Sequence, residues 1–130
     1  MGMNNLVATE HQEQVALMQW WGYYSQAHSI PETLLFAIPN GSFRQKVTGA
    51  ILKAEGVRAG VSDLFLAYPS GQYHGAFIEL KRDRKASRVT VMQKRFLKFA
   101  RDFGYYAVVA YGFEDAKHVI ESYVGGKFDA

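Results

Sequence analysis

The run Tyr105-Tyr106-Ala107-Val108-Val109-Ala110-Tyr111 constrains the fold more than any other part of the chain. It is apolar without alternation, the pattern of a strand buried on both faces. Gly104 stands immediately before it and ends a segment in which Met92, Phe96, Phe99 and Phe103 recur at helical spacing. Those four residues predict the buried stripe of a helix, with Ser87 or Thr90 as its cap. A helix leading directly into a strand covered on both sides belongs to a sheet flanked by helices, an α/β arrangement.

The other segments fit that frame. Glu10, Gln14, Leu17, Trp21 and Tyr24 recur at helical spacing, so a first helix is expected from about Glu10 to Ser25 with Thr9 as its cap. Leu34 to Ile38 reads as a short strand ending in the turn Pro39-Asn40-Gly41. Phe43, Val47, Ala50, Ile51 and Ala54 form the apolar stripe of a second helix that Gly56 terminates. Asp63 to Tyr68 and Gly75 to Lys81 read as a hairpin around Pro69, Ser70 and Gly71. A last helix spans Glu114 to Tyr123 and stops at Gly125-Gly126. The expected order is α, β, α, β, β, α, β, α, a mixed β-sheet flanked by α-helices.

At 130 residues, with no repeat, low-complexity tract or linker, the chain is expected to be one domain over 1–130, its core between about 10 and 123. The absence of cysteine excludes disulfide frameworks and thiolate metal sites, and favours an intracellular, cytoplasmic setting. No apolar run approaches the ~20 residues of a membrane span, so no membrane association is expected. Met1-Gly2 does not begin a myristoylation motif, because Leu6 stands where that motif requires Ser or Thr.

Charge is distributed unevenly. Residues 1–40 hold no Lys or Arg, whereas nine of the fifteen basic residues lie from Lys81 to Arg101. A local basic patch suits a polyanion, since neutralising phosphates releases condensed counterions, although a solvated helix face has the same composition. His11, His28, His74 and His118 show no ligand-like spacing. Trp20, Trp21, Tyr23 and Tyr24 suggest core packing and a self-association surface.

The chemistry concentrates in Phe77-Ile78-Glu79-Leu80-Lys81. Strand alternation puts Phe77, Glu79 and Lys81 on one face, and Ile78 and Leu80 on the other. A carboxylate in an otherwise core-like strand is costly unless it is paired or binds a cation. A hairpin brings Asp63 beside Glu79, so two carboxylates and an amine converge. That set suits magnesium, which takes oxygen ligands and is held by one or two carboxylates plus substrate phosphate. Phosphodiester hydrolysis follows, with Lys81 orienting or deprotonating the attacking water. A bare salt-bridge cluster at strand ends is the competing reading.

Asp63, fifteen intervening residues and then Glu79-Leu80-Lys81 resemble the D...ExK pattern of the restriction-endonuclease-like superfamily. Pro39-Asn40-Gly41, the segment GVRAGVSD from Gly56 to Asp63, FIELK, Gln93 and Gly104 together resemble the virus-type replication-repair nuclease (VRR-NUC) domain. The resemblance runs from about Glu10 to Tyr123. It implies Mg2+, with Mn2+ as a substitute, held by Asp63, Glu79, the main-chain carbonyl of Leu80 and a helix-one glutamate, with Lys81 handling the water. Glu10 is the preferred glutamate, being four residues before Gln14 as in the family, and Glu13 is the alternative. Gln93 is expected to hydrogen-bond Lys81 or the phosphate, and Asn40-Gly41 to lie near the DNA path. By the same resemblance the chain is a structure-selective DNA endonuclease acting on branched duplexes, four-way junctions above all, as a homodimer. A flap nuclease acting as a monomer, a non-catalytic DNA-binding module and a purely structural protein are its rivals.

Overall fold

The structure is a computed structural model that describes residues 9–39, 49–85 and 87–128. The described residues form four α-helices and four strands in the expected order. Helix α1 spans Glu10–Ala27, strand β1 Leu35–Ala37, helix α2 Gly49–Ala54 and strand β2 Leu64–Leu66. Strand β3 spans Ala76–Lys81, helix α3 Val91–Asp102, strand β4 Tyr106–Tyr111 and helix α4 Gly112–Val124. A single 3-10 turn, Glu32–Leu34, precedes β1. No helix of the described residues is long and apolar enough to cross a membrane.

The sheet order is β1-β2-β3-β4. The first two pairings are antiparallel and β3 with β4 is parallel, so the sheet is mixed as expected. Parallel neighbours require a crossover, and α3 supplies it. Strand β4 packs on both faces, with Ala110 in one core cluster and Ala107 in the other, yet it occupies the edge of the sheet. An unbroken apolar run reports burial above and below a strand, not how many neighbours flank it.

Both faces of the sheet are built from alternation along the strands. Ala76, Ile78 and Leu80 of β3 face α1 and α4, where they pack with Leu17, Trp21, Ile120 and Tyr123. Phe77 faces the other way, against Leu97 and Ala100 of α3. Helix α1 starts at a capping box in which the Thr9 hydroxyl accepts from the Gln12 N–H and the Gln12 side chain accepts from the Thr9 N–H. Its buried residues Leu17, Trp21 and Ser25 fall one turn apart. The Trp21 indole N–H donates to the Glu32 carbonyl at 2.8 Å, which fixes α1 to the turn that leads into β1.

Two helices depart from the burial expected of them. In α3, Met92, Phe99 and Phe103 are 46%, 54% and 77% exposed, and the buried residues are Leu97 and Ala100. Phe96 lies half-buried between the two stripes, edge-on to Phe77 with ring centroids 5.0 Å apart. The Gln93/Leu97/Ala100 stripe wins because small Ala100 lets the helix lie close to Ala107, and because Gln93 and Arg101 find polar partners on the sheet. Side-chain size alone points to the wrong face. In α2 no described residue is buried, and Ile51 is mostly exposed. Phe43 and Val47 of its expected stripe lie outside the described residues, as do Asn40 and Gly41. Gly56 does end this helix, at φ 104°, with the Val57 N–H returning to the Leu52 carbonyl.

Candidate active site

The antiparallel register Leu64↔Ile78 and Phe65↔Phe77, carried one residue further, sets Asp63 opposite Glu79 on the face that α3 covers. Asp63 is held from both sides. Its carbonyl accepts the Ile38 N–H at 2.7 Å, and its carboxylate Oδ2 accepts the Leu80 N–H at 2.8 Å. The segment leading to it passes tightly under α3. Gly60 has φ 86°, and a Cβ there would stand 2.6 Å from the Met92 carbonyl oxygen, so this position requires glycine. Thus the GVRAGVSD segment sets the approach of Asp63 to β3.

Glu79 is 2% exposed. Its Oε2 accepts from the Gln93 side-chain amide at 3.0 Å and lies 3.6 Å from the Lys81 ammonium. Its other oxygen, Oε1, is buried with no hydrogen-bond partner. Leaving a buried carboxylate oxygen without a donor costs kcal/mol that an ordinary fold avoids. Gln93 therefore bonds Glu79 rather than Lys81, while its own carbonyl oxygen completes a capping box with Thr90 at the start of α3. Of the two expected caps, Thr90 is the one used; Ser87 instead accepts the Arg82 and Asp83 N–H groups in the preceding loop.

Electrostatics follow from burial. Desolvation, then the charge of Asp63, push the Glu79 carboxyl up to about 8, although Lys81 pulls it down. Desolvation raises the Asp63 carboxyl too, against the Leu80 N–H, against a hydrogen bond that Glu79 can donate only while it is protonated, and against Lys81. Glu10, exposed in the first turn of α1, is also raised, by partial desolvation first and then by Asp63, with Lys81 and Arg82 opposing. Asp63 raises the proton affinity of both Glu79 and Glu10, and Glu10 adds to that of Glu79, so the cluster is short of positive charge.

The same interactions separate Glu10 from Glu13. Glu10 senses Asp63, Lys81 and Arg82. Glu13 is used elsewhere: its Oε1 accepts the Phe113 N–H at 2.6 Å, joining α1 to the start of α4. Helical spacing alone could not distinguish a residue facing the site from one anchoring the helix beside it. Its bond to a residue 100 positions later has no sequence signal.

Do these residues suit a divalent cation? Among the described residues no group of three or more acidic or histidine side chains is close enough to cage a metal alone. The donor set is instead two adjacent carboxylates, one with a buried oxygen lacking any partner. That fits magnesium, which keeps waters and completes its shell with phosphate oxygens rather than requiring an all-protein cage.

The mixed sheet, with Asp63 just before β2 facing the Glu79-Leu80-Lys81 end of β3, has the arrangement expected of a restriction-endonuclease-like fold. The VRR-NUC domain matches residues 7–114. A solved structure described as a VRR_NUC domain protein is 30% identical and superposes with a TM-score of 0.75, over 95% of this chain and 94% of that one. No curated protein matches. The chain belongs to the VRR-NUC family, a family of nuclease domains.

Proposed function

We infer that this protein is a magnesium-dependent DNA endonuclease, with manganese as a substitute, that cuts branched duplexes such as four-way junctions as a homodimer. The observation that carries the catalytic reading is the buried, partnerless Oε1 of Glu79 beside Asp63, with Lys81 on the other oxygen of the same carboxylate. Asp63, Glu79, the Leu80 carbonyl and Glu10 would hold the cation. When bound it polarises the phosphoryl oxygen and lowers the pKa of an attacking water.

The chain's own residues do the rest. The Leu80 N–H and the Ile38 N–H orient Asp63, and the Gln93 amide orients Glu79. Lys81 shares the Glu79 face and is 8% exposed, so its ammonium is directed by the carboxylate and positioned to hold or take a proton from water at the phosphate. Exposed basic residues after Lys81, including Lys85 and Arg88, meet the DNA backbone. Branched-DNA selectivity and pairing of two copies rest on the family resemblance, since a lone domain of this size grips little duplex.

The test is cleavage of synthetic four-way junctions, flaps and linear duplex in magnesium by wild type and by Lys81→Ala. Junctions should be cut fastest, and Lys81→Ala should lose ~10²–10⁴-fold in turnover with little change in binding. Equal cutting of the three substrates would end the selectivity claim, and an unimpaired Lys81→Ala would end the catalytic one.

A further inference from the structure

Tyr111, the last residue of β4, pairs in register with Lys81. Alternation puts it on the same face of the sheet as Glu79 and Lys81, since Ala107 and Val109 of its strand pack toward α3. The chain leaves β3 at Lys81, turns through Arg82 and Asp83, and returns the Arg84 guanidinium over the Tyr111 ring, 4.3 Å from its centroid. Two arrangements hold this shelf. Tyr111 is tied down by its N–H donating to the Asp115 carboxylate at 2.8 Å. The loop is cinched by the Ser87 hydroxyl, which accepts from the Arg82 and Asp83 N–H groups, and by Asp83, which accepts the Lys85 N–H at 2.8 Å.

Arg84 itself is exposed and has no carboxylate partner in the ion pairs of the described residues, whereas Arg82 beside it is paired with Asp83. A guanidinium held over an aromatic ring has lost rotamer freedom while keeping N–H groups for other acceptors, which suits it to a fork-like grip on a phosphate. Adjacent strands are ~4.8 Å apart, so the shelf stands beside Lys81 rather than on it.

We propose that Arg84, presented on the Tyr111 ring, forms a second phosphate subsite that holds a backbone phosphate neighbouring the scissile one. This rests on the nuclease reading above and assigns to it a substrate-positioning residue outside the carboxylate-lysine set. The role is in binding: Arg84 neither touches the carboxylates nor moves a proton.

The experiment measures affinity of the full chain for duplex and junction DNA in chelating buffer across a salt series, then kinetics in magnesium. Arg84→Ala should weaken binding roughly 5- to 20-fold at low salt and flatten the slope of log affinity against log salt by about one contact's worth, ~0.9. KM should rise by a similar factor, with kcat within twofold. Tyr111→Ala should reproduce the Arg84→Ala defect with the arginine still present, and Tyr111→Phe, which keeps the ring, should recover most of the lost affinity. A junction carrying one neutral methylphosphonate next to the cleaved bond should bind wild type more weakly and Arg84→Ala no more weakly than the unmodified junction. Lys117→Ala on α4 is the control for bulk charge. The proposal is overturned if Arg84→Ala matches wild type, if Lys117→Ala loses as much, or if the methylphosphonate harms both proteins equally. Salt-sensitive binding that depends on Arg84 without cleavage in any metal would sink the nuclease reading and leave the subsite standing.

Discussion

Replacing Glu79 by glutamine separates a strained catalytic carboxylate from a stabilising salt bridge. The Glu79 carboxyl moves from an ordinary value of 4.5 to about 8 on folding, with desolvation as the first cause and Asp63 the second. The folded state therefore binds the proton more tightly than the unfolded chain, so stability is highest at low pH and falls as pH rises from about 4.5 to about 8. At ~1.36 kcal/mol per pKa unit, the metal-free protein should lose on the order of 3 kcal/mol between roughly pH 5.5 and 8. For a chain of this size that is a fall of ~10 °C in Tm. Glu79→Gln keeps the shape and abolishes this titration, so its Tm in chelator should vary far less over that range and exceed wild type at the upper end. Magnesium should restore wild type at the upper end, by about 2.7 kcal/mol at a hundredfold excess over its Kd, and should do little for the variant. Cleavage by the variant should be lost. The measurement is thermal denaturation by circular dichroism at several pH values, with and without magnesium. If wild-type stability is level or rises over this range and Glu79→Gln is the less stable at every pH, Glu79 is a structural ion-pair partner and the argument from its buried oxygen fails.

Three other perturbations follow from the geometry. Glu10→Gln should lower activity and weaken the magnesium dependence of Tm while leaving metal-free stability close to wild type; Glu13→Gln should instead cost ~1.5–3 kcal/mol of stability by weakening the charged bond to the Phe113 N–H, read as a lower Tm in chelator. Gln93→Ala removes both half of the α3 capping box and the donor to Glu79, so it should cost ~1 kcal/mol in a urea melt and also reduce kcat, whereas a merely exposed cap residue would leave kcat unchanged.

Much of the site could be read from local pattern. Two-residue alternation places Glu79 and Lys81 on one face of a strand, and the Pro69-Ser70-Gly71 connection implies that Asp63 returns opposite them. Those are short-range relations, and the antiparallel register preserves them. Helix boundaries were equally legible where caps mark them, as Thr9 and Thr90 do for α1 and α3.

Long-range competition decided what those patterns left open. Helix α3 has two overlapping apolar stripes, and periodicity favours the one with the larger side chains. The sheet selects the other, since Ala100 permits close approach and Gln93 reaches the Glu79 carboxylate. Glu10 and Glu13 are nearly equivalent by spacing, and only the packing of α4 beside α1 commits Glu13 to a backbone amide and leaves Glu10 to the charges of the site. Tyr111 becomes a neighbour of Lys81, thirty positions earlier, through the parallel crossover of residues 82–105, a pairing no local pattern encodes. The amino-acid order thus determined which chemistry this chain carries, because alternation and capping act over a few bonds. The tertiary structure decided which oxygen is left without a partner and which side chains surround it, because desolvation and charge depend on residues distant in sequence.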